Sequence, residues 1–385
     1  MRNINVIGTA VIAAFSGSIP VAYATNGDQM LGVTATQWGM AGAIVAAPQD
    51  AGTVLTNPAG LATLDIEDIR VDMGFGFLNP PRKVNGVESD SNYYLIPSGA
   101  MALRLDDKLT FGMGMAGLSG MGVDFNDTAP NAPGNQNVVT NKQFYKIAPG
   151  FGYQINDKLS WGAALNIDYQ SLALDIGKTD THLPQNQAYG YGASVGLIHK
   201  TSDAIQLGFA YISRQYMDEF RWNTTNGPVS MTMDAAPQTS LGVAYTPSSD
   251  LLVEADIKHI AFSDVMDKIN MHTPSGTNVI NYGWDDQIVY SLGVQKQLSK
   301  KTTVRFGLNY GESPIGPEDV DSNVGSLAIV ESHLSAGFTR QVGKRVSVSA
   351  SYVHGFHNKL TSSSGSGTTI ELEQNIVNVQ ISYKM

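Results

Sequence analysis

The chain of 385 residues contains no cysteine and few charges, since Asp, Glu, Lys and Arg together make up 15% of it. The absence of cysteine suits an oxidising periplasm, where a stray thiol is a liability during assembly. Acidic residues outnumber basic ones, and the formal net charge is −10. This balance argues against nucleic acid and against anionic membrane surfaces as binding partners.

The chain also lacks long hydrophobic runs. No stretch after the N-terminus approaches the roughly 20 apolar residues that a transmembrane helix needs. The apolar run from Ile4 to Phe15 follows the single charge of Arg2 and is too short to span a bilayer. It leads into Ala22–Tyr23–Ala24, which has the small-x-small form that signal peptidase cleaves. Residues 1–24 are therefore predicted to be an export signal, and the mature chain is predicted to begin at Thr25.

The residues that are abundant are of a different kind. The chain has 40 glycines and 16 tyrosines, and its mean hydropathy is −0.09. This mixture is unusual for a soluble enzyme of this length. A transmembrane β-barrel explains it, because half of each strand faces lipid and half faces a polar lumen.

Apolar residues alternate with polar or small residues in several segments, such as Thr303–Tyr310 and Val377–Lys384. A period of two with one apolar face predicts half-buried strands. We assign the apolar face to lipid, and Trp161, Tyr245 and Tyr383 are candidates for an aromatic girdle near the periplasmic rim.

Turns and loops predict the number of strands. Tight turns rich in Asn, Asp, Gly, Pro, Ser and Lys occur at 106–109, 156–159, 202–205, 246–250, 298–302 and 342–346. Longer connections fall at about 79–92, 126–142, 178–188, 221–228, 265–283, 314–327 and 357–368. Six short turns that alternate with seven long loops imply fourteen strands, with the short turns on the periplasmic side. A soluble β-sandwich or propeller is the competing architecture, but its turns recur every 8–12 residues or so, whereas strand pairs here recur at roughly 45–50.

Residues 25–64 do not alternate, are rich in Ala, Gly and Thr, and hold almost no basic charge. Such a segment cannot be a lipid-facing strand and is too small to form its own core. A lumen as wide as fourteen strands cannot be filled by wall side chains alone. We therefore expect residues 25–64 to lie inside the barrel as a plug and residues 65–385 to form the barrel.

The motif Asn57–Pro58–Ala59–Gly60, followed at once by a predicted strand, resembles the plug, or hatch, of the FadL family. Members of this family are outer-membrane transporters of long-chain fatty acids and toluene-type hydrocarbons. In motif, the resemblance covers about the first forty mature residues and the third strand. Independently, Asn57 can bond local backbone groups, Pro58 fixes φ, and Gly60 permits a positive φ, so a sharp reversal is expected. The alternative is an ordinary turn without a role in transport.

The predicted third strand, Leu109 to Phe125, is unusually rich in glycine. Glycine weakens a strand and marks bulges or bends, so we expect an interrupted ladder at Gly117, Ser119, Gly120 and Gly122. The resemblance implies an inward kink that contacts the hatch and a lateral gap through which ligand enters the bilayer. Many relatives carry a proline near this kink, and this strand has none. Alternatively, the glycines make room for aromatic neighbours.

The histidines and the acidic loop do not indicate a catalytic or metal site. None of the seven histidines sits in a motif that suggests a nucleophile and its base. The acidic loop 317–321 is better explained as a solvated loop than as a divalent-ion site, and no enzyme activity, metal or cofactor is expected. Glu254, Asp256 and Lys258 share one strand face, where they suit either hydrogen bonds to a plug or a water-filled pore.

The sequence thus predicts an outer-membrane channel, and the resemblance implies passive uptake of hydrophobic small molecules, either long-chain fatty acids or aromatic hydrocarbons. Met30, Leu31, Val33, Trp38 and Met40 are the candidates for ligand contact. We expect a monomer surrounded by outer-membrane lipid and lipopolysaccharide. The alternatives are a general diffusion porin for polar solutes and a surface adhesin or receptor.

Overall fold

The computed structural model describes residues 25–125, 138–176 and 181–385, so the predicted export signal, residues 1–24, lies outside it. Fourteen long strands of the described chain each pair antiparallel with the next in sequence, and the last, Thr369–Lys384, pairs with the first, Ile69–Asn79. The sheet therefore closes on itself. This confirms the predicted fourteen-stranded antiparallel barrel, and closure is the condition that lets a sheet cross lipid.

The wall strands are numbered in chain order. They are β1 (Ile69–Asn79), β2 (Tyr94–Arg104), β3 (Leu109–Phe125), β4 (Val138–Asn156), β5 (Leu159–Ile176), β6 (Thr181–Lys200), β7 (Ile205–Ile212), β8 (Gln238–Ser248), β9 (Leu251–Ile260), β10 (Gln287–Ser299), β11 (Thr302–Gly311), β12 (Ser332–Gln341), β13 (Val346–Thr361) and β14 (Thr369–Lys384).

The remaining elements are short. The helices are α1 (Ala35–Gly39) and α2 (Ser263–Met266), and 3-10 turns cover Ala51–Leu55, Pro58–Thr63 and Val320–Ser322. Short strands cover Thr25–Asn26, Gln29–Met30, Arg82–Val84, Val87–Glu88, Tyr216–Met217, Phe220–Thr224, Gly227–Met231, Lys268–Thr273 and Gly276–Asn281. Within the described ranges, no helix is long and apolar enough to span a membrane.

Side chains alternate across the wall as the sequence predicts. In β11, Phe306 and Leu308 are 58% and 53% exposed, whereas Arg305 and Asn309 are buried. The buried face points into the lumen, where residues 25–64 cover it, and the exposed apolar face is the lipid-facing one. Alternation therefore reports which side of each strand meets lipid.

The six short connections join the strand pairs for which turns are predicted. They are residues 105–108, 157–158, 201–204, 249–250, 300–301 and 342–345. The girdle candidates Trp161, Tyr245 and Tyr383 are exposed to the outside at this end of the wall. All short connections thus lie on one side of the barrel, which is the periplasmic side in outer-membrane proteins.

The long connections differ in part from the predicted loops. β4 begins at Val138 and β6 at Thr181, inside the loops predicted at 126–142 and 178–188. The β7–β8 and β9–β10 connections each contain a hairpin, and the two hairpins pair into a separate four-stranded sheet. Sequence patterning misses these strands because alternation is required only where one face of a strand meets lipid.

An apolar cluster joins the long connections to the inner faces of β3–β6. Its members include Phe220, Trp222, Met231, Met266 and Trp284, all of them buried. Aromatic and methionine side chains supply large apolar surfaces, and methionine adapts to irregular neighbours. The connections on this side therefore form a packed cap.

Asp321, in the β11–β12 connection, holds the serine-rich β13–β14 connection in place. Ser362, Ser364 and Ser366 donate hydrogen bonds of 2.8, 2.6 and 2.8 Å to its carboxylate oxygens. Burial disfavours the charged form, but the hydroxyl donors, Thr368 among them, outweigh it and hold the pKa of Asp321 below its ordinary value. Because the folded pKa is depressed, this stabilisation is present above the ordinary aspartate pKa and is lost as the pH falls towards the folded value.

Replacing Asp321 by Asn should loosen the β13–β14 connection at neutral pH, because a neutral amide accepts weaker hydrogen bonds from the serines. The measurement is the rate of amide hydrogen exchange in residues 362–368. Asp203→Asn, in an exposed short turn, is the matched control and should leave that rate unchanged. Equal exchange in Asp321→Asn and the native protein would show that the carboxylate does not order this connection.

Candidate functional site

Residues 25–64, here called the plug segment, lie in the barrel lumen. Every residue from Thr25 to Ala46 is buried. Helix α1 packs against β11–β14, the 3-10 turn Ala51–Leu55 against β1–β4, and the turn Pro58–Thr63 against β3–β6. The plug segment therefore touches most of the circumference of the wall from inside.

Glycines on the inner face of the wall allow this close contact. A Cβ atom added to any of ten wall glycines would lie within 3.0 Å of an atom of the plug segment. These glycines are Gly112, Gly114, Gly152, Gly162, Gly196, Gly208, Gly242, Gly293, Gly307 and Gly337. Several face each other directly across neighbouring strands, such as Gly152, Gly162 and Gly196. They form a belt of bare backbone, which we call the glycine belt, on which the plug segment rests.

The predicted motif at residues 57–60 rests on this belt. Asn57 is buried, its Oδ1 accepts from the Ala59 amide at 3.2 Å, and its Nδ2 donates to the Val45 carbonyl at 2.7 Å. Pro58 begins the 3-10 turn. Gly60 does not adopt the positive φ that the sequence suggests. Its role is steric, because a Cβ there would lie 2.3 Å from Thr53 Oγ1.

Two carboxylates of β9 hold the plug segment by its backbone. Asp256 Oδ2 accepts from the amides of Ile44 and Val45 at 2.7 and 3.0 Å. Glu254 Oε1 accepts from the next two amides along the segment at 2.6 and 3.0 Å. The sequence left open whether these carboxylates face a plug or a water-filled pore. In the structure they face the plug segment and bind its backbone amides. Hydrogen bonds to a carboxylate are among the stronger ones in proteins.

Strand β3 changes character halfway along. From Leu109 to Ala116 its residues alternate between a buried and a more exposed face, but from Ser119 to Val123 every residue is buried. The register with β4 shifts between Gly117 and Ser119, which leaves Leu118 as the extra residue of a bulge. Both faces of this half of β3 are therefore covered by other parts of the protein.

The ladder between β2 and β3 stops at the same level. Its last pair is Ser98 with Ala116, although β2 continues to Tyr94 and stays paired with β1. The next residue of β2 is Pro97, which has no amide hydrogen to donate. The proline that the third strand lacks thus has a counterpart on the neighbouring strand. Among the described residues, no wall strand pairs with the upper half of β3 on its β2 side.

The plug segment covers the lower part of this open edge. Its N-terminal hairpin, Thr25–Met30, pairs with β3 through Gln29 and Ser119. The Gly120 amide donates to the Asp28 carbonyl at 3.3 Å. Asp28 Oδ2 accepts from Ser119 Oγ at 2.5 Å and forms an ion pair with Lys142 Nζ at 2.9 Å. Both members of this ion pair are 3% exposed, so it is fully enclosed.

The β1–β2 connection covers the upper part of the edge. The buried guanidinium of Arg82 donates to the Gly122 carbonyl and to the Tyr94 hydroxyl. The Asp90 amide donates to the Asp124 carbonyl at 2.8 Å. Of the four predicted gap residues, Gly117 and Ser119 flank the bulge, Gly120 contacts the plug hairpin, and Gly122 contacts Arg82.

A cavity lies between the plug segment and the wall. The predicted contact residues Met30, Leu31 and Val33 line it. Trp38 instead packs against an apolar cluster of β1, β2, β13 and β14, and Met40 packs against β8–β11. The cavity therefore adjoins the N-terminal part of the plug segment.

The wall side of the cavity combines apolar and cationic groups. Leu118, the residue of the β3 bulge, and Phe144 line it together with Lys146 and Lys258. Lys146 is 3% exposed, and within the described residues no carboxylate oxygen lies within 4.0 Å of its ammonium group. Such a site can accept an apolar molecule and, at one end, an anionic group.

Sequence reasoning missed Asp28, Lys142, Arg82 and most of the glycine belt. One signal was present for Lys146, which falls on the lumen side of an alternating strand, whereas Lys142 falls in the loop predicted at 126–142. Their partners were not readable, because Asp28 and Lys142 are 114 residues apart in the chain.

Gly162→Val tests the glycine belt. The new side chain would meet the Pro58 carbonyl carbon at 2.4 Å and the Ala59 nitrogen at 2.5 Å, both backbone atoms that cannot move alone. We expect faster hydrogen exchange throughout residues 57–63 in this variant. Gly99→Val is the matched control, because the nearest atom to a Cβ there is 3.9 Å away, and its exchange should match that of the native protein. Unchanged exchange in Gly162→Val would contradict the role of the belt.

The sequence and the fold match known proteins. The family model described as "Outer membrane protein transport protein (OMPP1/FadL/TodX)" matches residues 18–383. The Pseudomonas putida toluene transporter TodX is similar with a TM-score of 0.76 at 18% identity, over 92% of this chain and 99% of that chain. A Pseudomonas aeruginosa FadL homologue is similar with a TM-score of 0.75 at 14% identity, over 93% of this chain and 99% of that chain. The Ralstonia pickettii toluene transporter TbuX is similar with a TM-score of 0.73 at 17% identity, over 92% of this chain and 98% of that chain. At these identities the structural likeness shows the fold alone, and no curated protein sequence matches the chain.

Proposed function

Because the chain belongs to the outer membrane protein transport family (OMPP1/FadL/TodX), we propose that it is a passive outer-membrane channel whose hydrophobic ligand leaves sideways between β2 and β3. Long-chain fatty acids and aromatic hydrocarbons are the proposed ligand classes. The solved structures similar to it include toluene transporters and a FadL homologue. The ligand's concentration gradient would drive the movement.

One observation carries the proposal. The only covering found on the lower open edge of β3 is the plug hairpin, in the part of the chain that the structure describes, and the same hairpin lines the cavity. Leu118 belongs both to the bulge of β3 and to the cavity lining. A ligand in the cavity is therefore separated from the opening by groups that a small movement of Thr25–Met30 would displace.

The apolar lining supports a hydrophobic ligand. Met30, Leu31, Val33, Leu118 and Phe144 offer it surfaces that gain free energy when they are shielded from water. Exit into the bilayer keeps such a ligand out of water along its whole path. An exit into the periplasm would instead expose it to water, which the hydrophobic effect opposes.

Locking the hairpin to β3 tests the exit. Gln29 and Ser119 are direct antiparallel partners, so cysteines at these positions have the Cα separation that a disulfide requires. No native cysteine competes, because the chain has none. In Gln29→Cys/Ser119→Cys, oxidation should stop uptake of radiolabelled toluene and oleate by cells that lack other transporters of this family. A thiol reductant should restore it.

The matched control is Ser98→Cys/Ala116→Cys, which joins β2 to β3 at their last natural pair, below the opening. Oxidation of this control should leave uptake unchanged. If the oxidised Gln29→Cys/Ser119→Cys protein takes up both ligands at the rate of its reduced form, the ligand does not pass the plug hairpin and the lateral exit is wrong.

Single-channel conductance separates this function from that of a general diffusion porin. The plug segment is buried and seated on the glycine belt, so ions should find no continuous water path and the purified protein should be nearly silent in planar bilayers. A large, steady conductance in the native protein would favour the porin.

A further inference from the structure

We propose that Lys142 and Ser119 form a binding site for the carboxylate of an amphipathic ligand. In the closed channel Asp28 of the plug hairpin occupies this site, and the ligand opens the channel by taking the place of Asp28. The inference rests on the proposed function and narrows its ligand class to long-chain carboxylates.

The contacts of Asp28 are those that a ligand carboxylate would make. Its Oδ2 accepts from the Lys142 ammonium at 2.9 Å and from the Ser119 hydroxyl at 2.5 Å, and its Oδ1 accepts from Gln29 Nε2 at 2.7 Å. One oxygen of a free carboxylate can accept the two bonds that Oδ2 accepts. Lys142 and Ser119 both belong to the wall, whereas Asp28 belongs to the hairpin. The wall therefore supplies both donors to Oδ2, and the plug segment supplies the carboxylate that accepts them.

The cavity leads to this site. Lys142, Phe144 and Lys146 lie on the lumen face of β4 at successive alternate positions, so the two lysines are about 13 Å apart along the strand. Lys146 and Phe144 line the cavity, as does Gln29, the neighbour of Asp28. A carboxylate that binds Lys146, with its chain against Phe144, lies about 13 Å along the strand from Lys142.

We infer that the ligand carboxylate binds Lys146 before it reaches Lys142. Among the described residues it forms no ion pair within 4.0 Å, although Asp168 is its direct partner across the β4–β5 ladder. A buried ammonium group is costly unless an anion or hydrogen-bond acceptors accompany it. A ligand carboxylate supplies that anion, which a neutral hydrocarbon cannot do.

Replacement of the Asp28 carboxylate by a ligand carboxylate avoids the free-energy cost of breaking the Asp28–Lys142 ion pair with no new partner for Lys142. Breaking a buried ion pair is unfavourable mainly because one charge is left buried without a partner. When one carboxylate replaces another, Lys142 stays paired and the charge of the site is unchanged. Asp28 is then released from Ser119, on the open edge of β3, and from Lys142, on the neighbouring β4.

Two substitutions that break the same ion pair separate this role from a purely structural one. In Asp28→Asn the wall site keeps its lysine and loses its competitor, so the ratio of oleate to toluene uptake at limiting ligand should rise about tenfold. In Lys142→Gln the site itself is lost, and the ratio should fall about tenfold. Both figures correspond to one charge-assisted hydrogen bond. Asp157→Asn and Lys158→Gln, exposed in a short turn at the far end of β4, are matched controls and should leave the ratio unchanged.

If Asp28→Asn and Lys142→Gln shift the ratio in the same direction, or not at all, the ion pair is only a structural latch and the carboxylate site is wrong. Native protein that takes up toluene but not oleate also overturns this inference while leaving the proposed function intact. Native protein that takes up neither ligand contradicts the proposed function itself.

A measurement on the native protein covers the case in which a variant does not assemble. Oleate should accelerate exchange of the Gly120 amide, which is bonded to the Asp28 carbonyl, whereas toluene at equal occupancy should not. If the two ligands affect hydrogen exchange of this amide equally, the ligand carboxylate does not replace Asp28 and the proposal is wrong.

Discussion

A sheet that crosses lipid cannot leave backbone donors and acceptors unpaired, and the structure of this protein depends on that constraint. Thirteen of the strand junctions meet it by simple pairing, and the closing pair of β14 with β1 leaves no free end. The exception lies between β2 and β3, above Ser98 and Ala116. There the backbone of β3 is satisfied by the plug hairpin and by the β1–β2 connection, which are not wall strands. The proposed lateral exit lies at this place, where the backbone of β3 is covered by segments that are not wall strands.

The plug segment is held to the wall by two different sets of contacts. Its middle and C-terminal parts rest on bare glycine backbone and on the carboxylates of Glu254 and Asp256, so they fit the wall closely at many points. Its N-terminal hairpin is held by side-chain contacts of Asp28 with Lys142 and Ser119, of Gln29 with Gln238, and of the Thr25 amide with Gln374. Under the proposed function this hairpin would move while the rest of the plug segment stays on the wall.

Local patterns made much of the fold predictable. Alternation identified the lipid-facing side of strands such as β11, and tight turns such as 106–109 located the short-turn side of the barrel. The predicted third strand has the bounds of β3, because its glycines weaken pairing without ending it. Gly60 shows the limit of such reasoning, since its position next to Thr53 and not its φ explains the residue. The hairpins beyond the membrane escaped prediction because no lipid imposes alternation there.

What the sequence alone determined is the barrel, since periodicity and turn chemistry are properties of neighbouring residues and survive without knowledge of distant contacts. The sequence also determined that residues 25–64 cannot belong to the wall. The tertiary structure decided how that segment is seated: which glycines face it, which carboxylates bind its amides, and that Asp28 meets Lys142 across 114 positions of the chain. Such pairings depend on which lumen faces come together when the sheet closes. Their strength depends on burial, which no local pattern records.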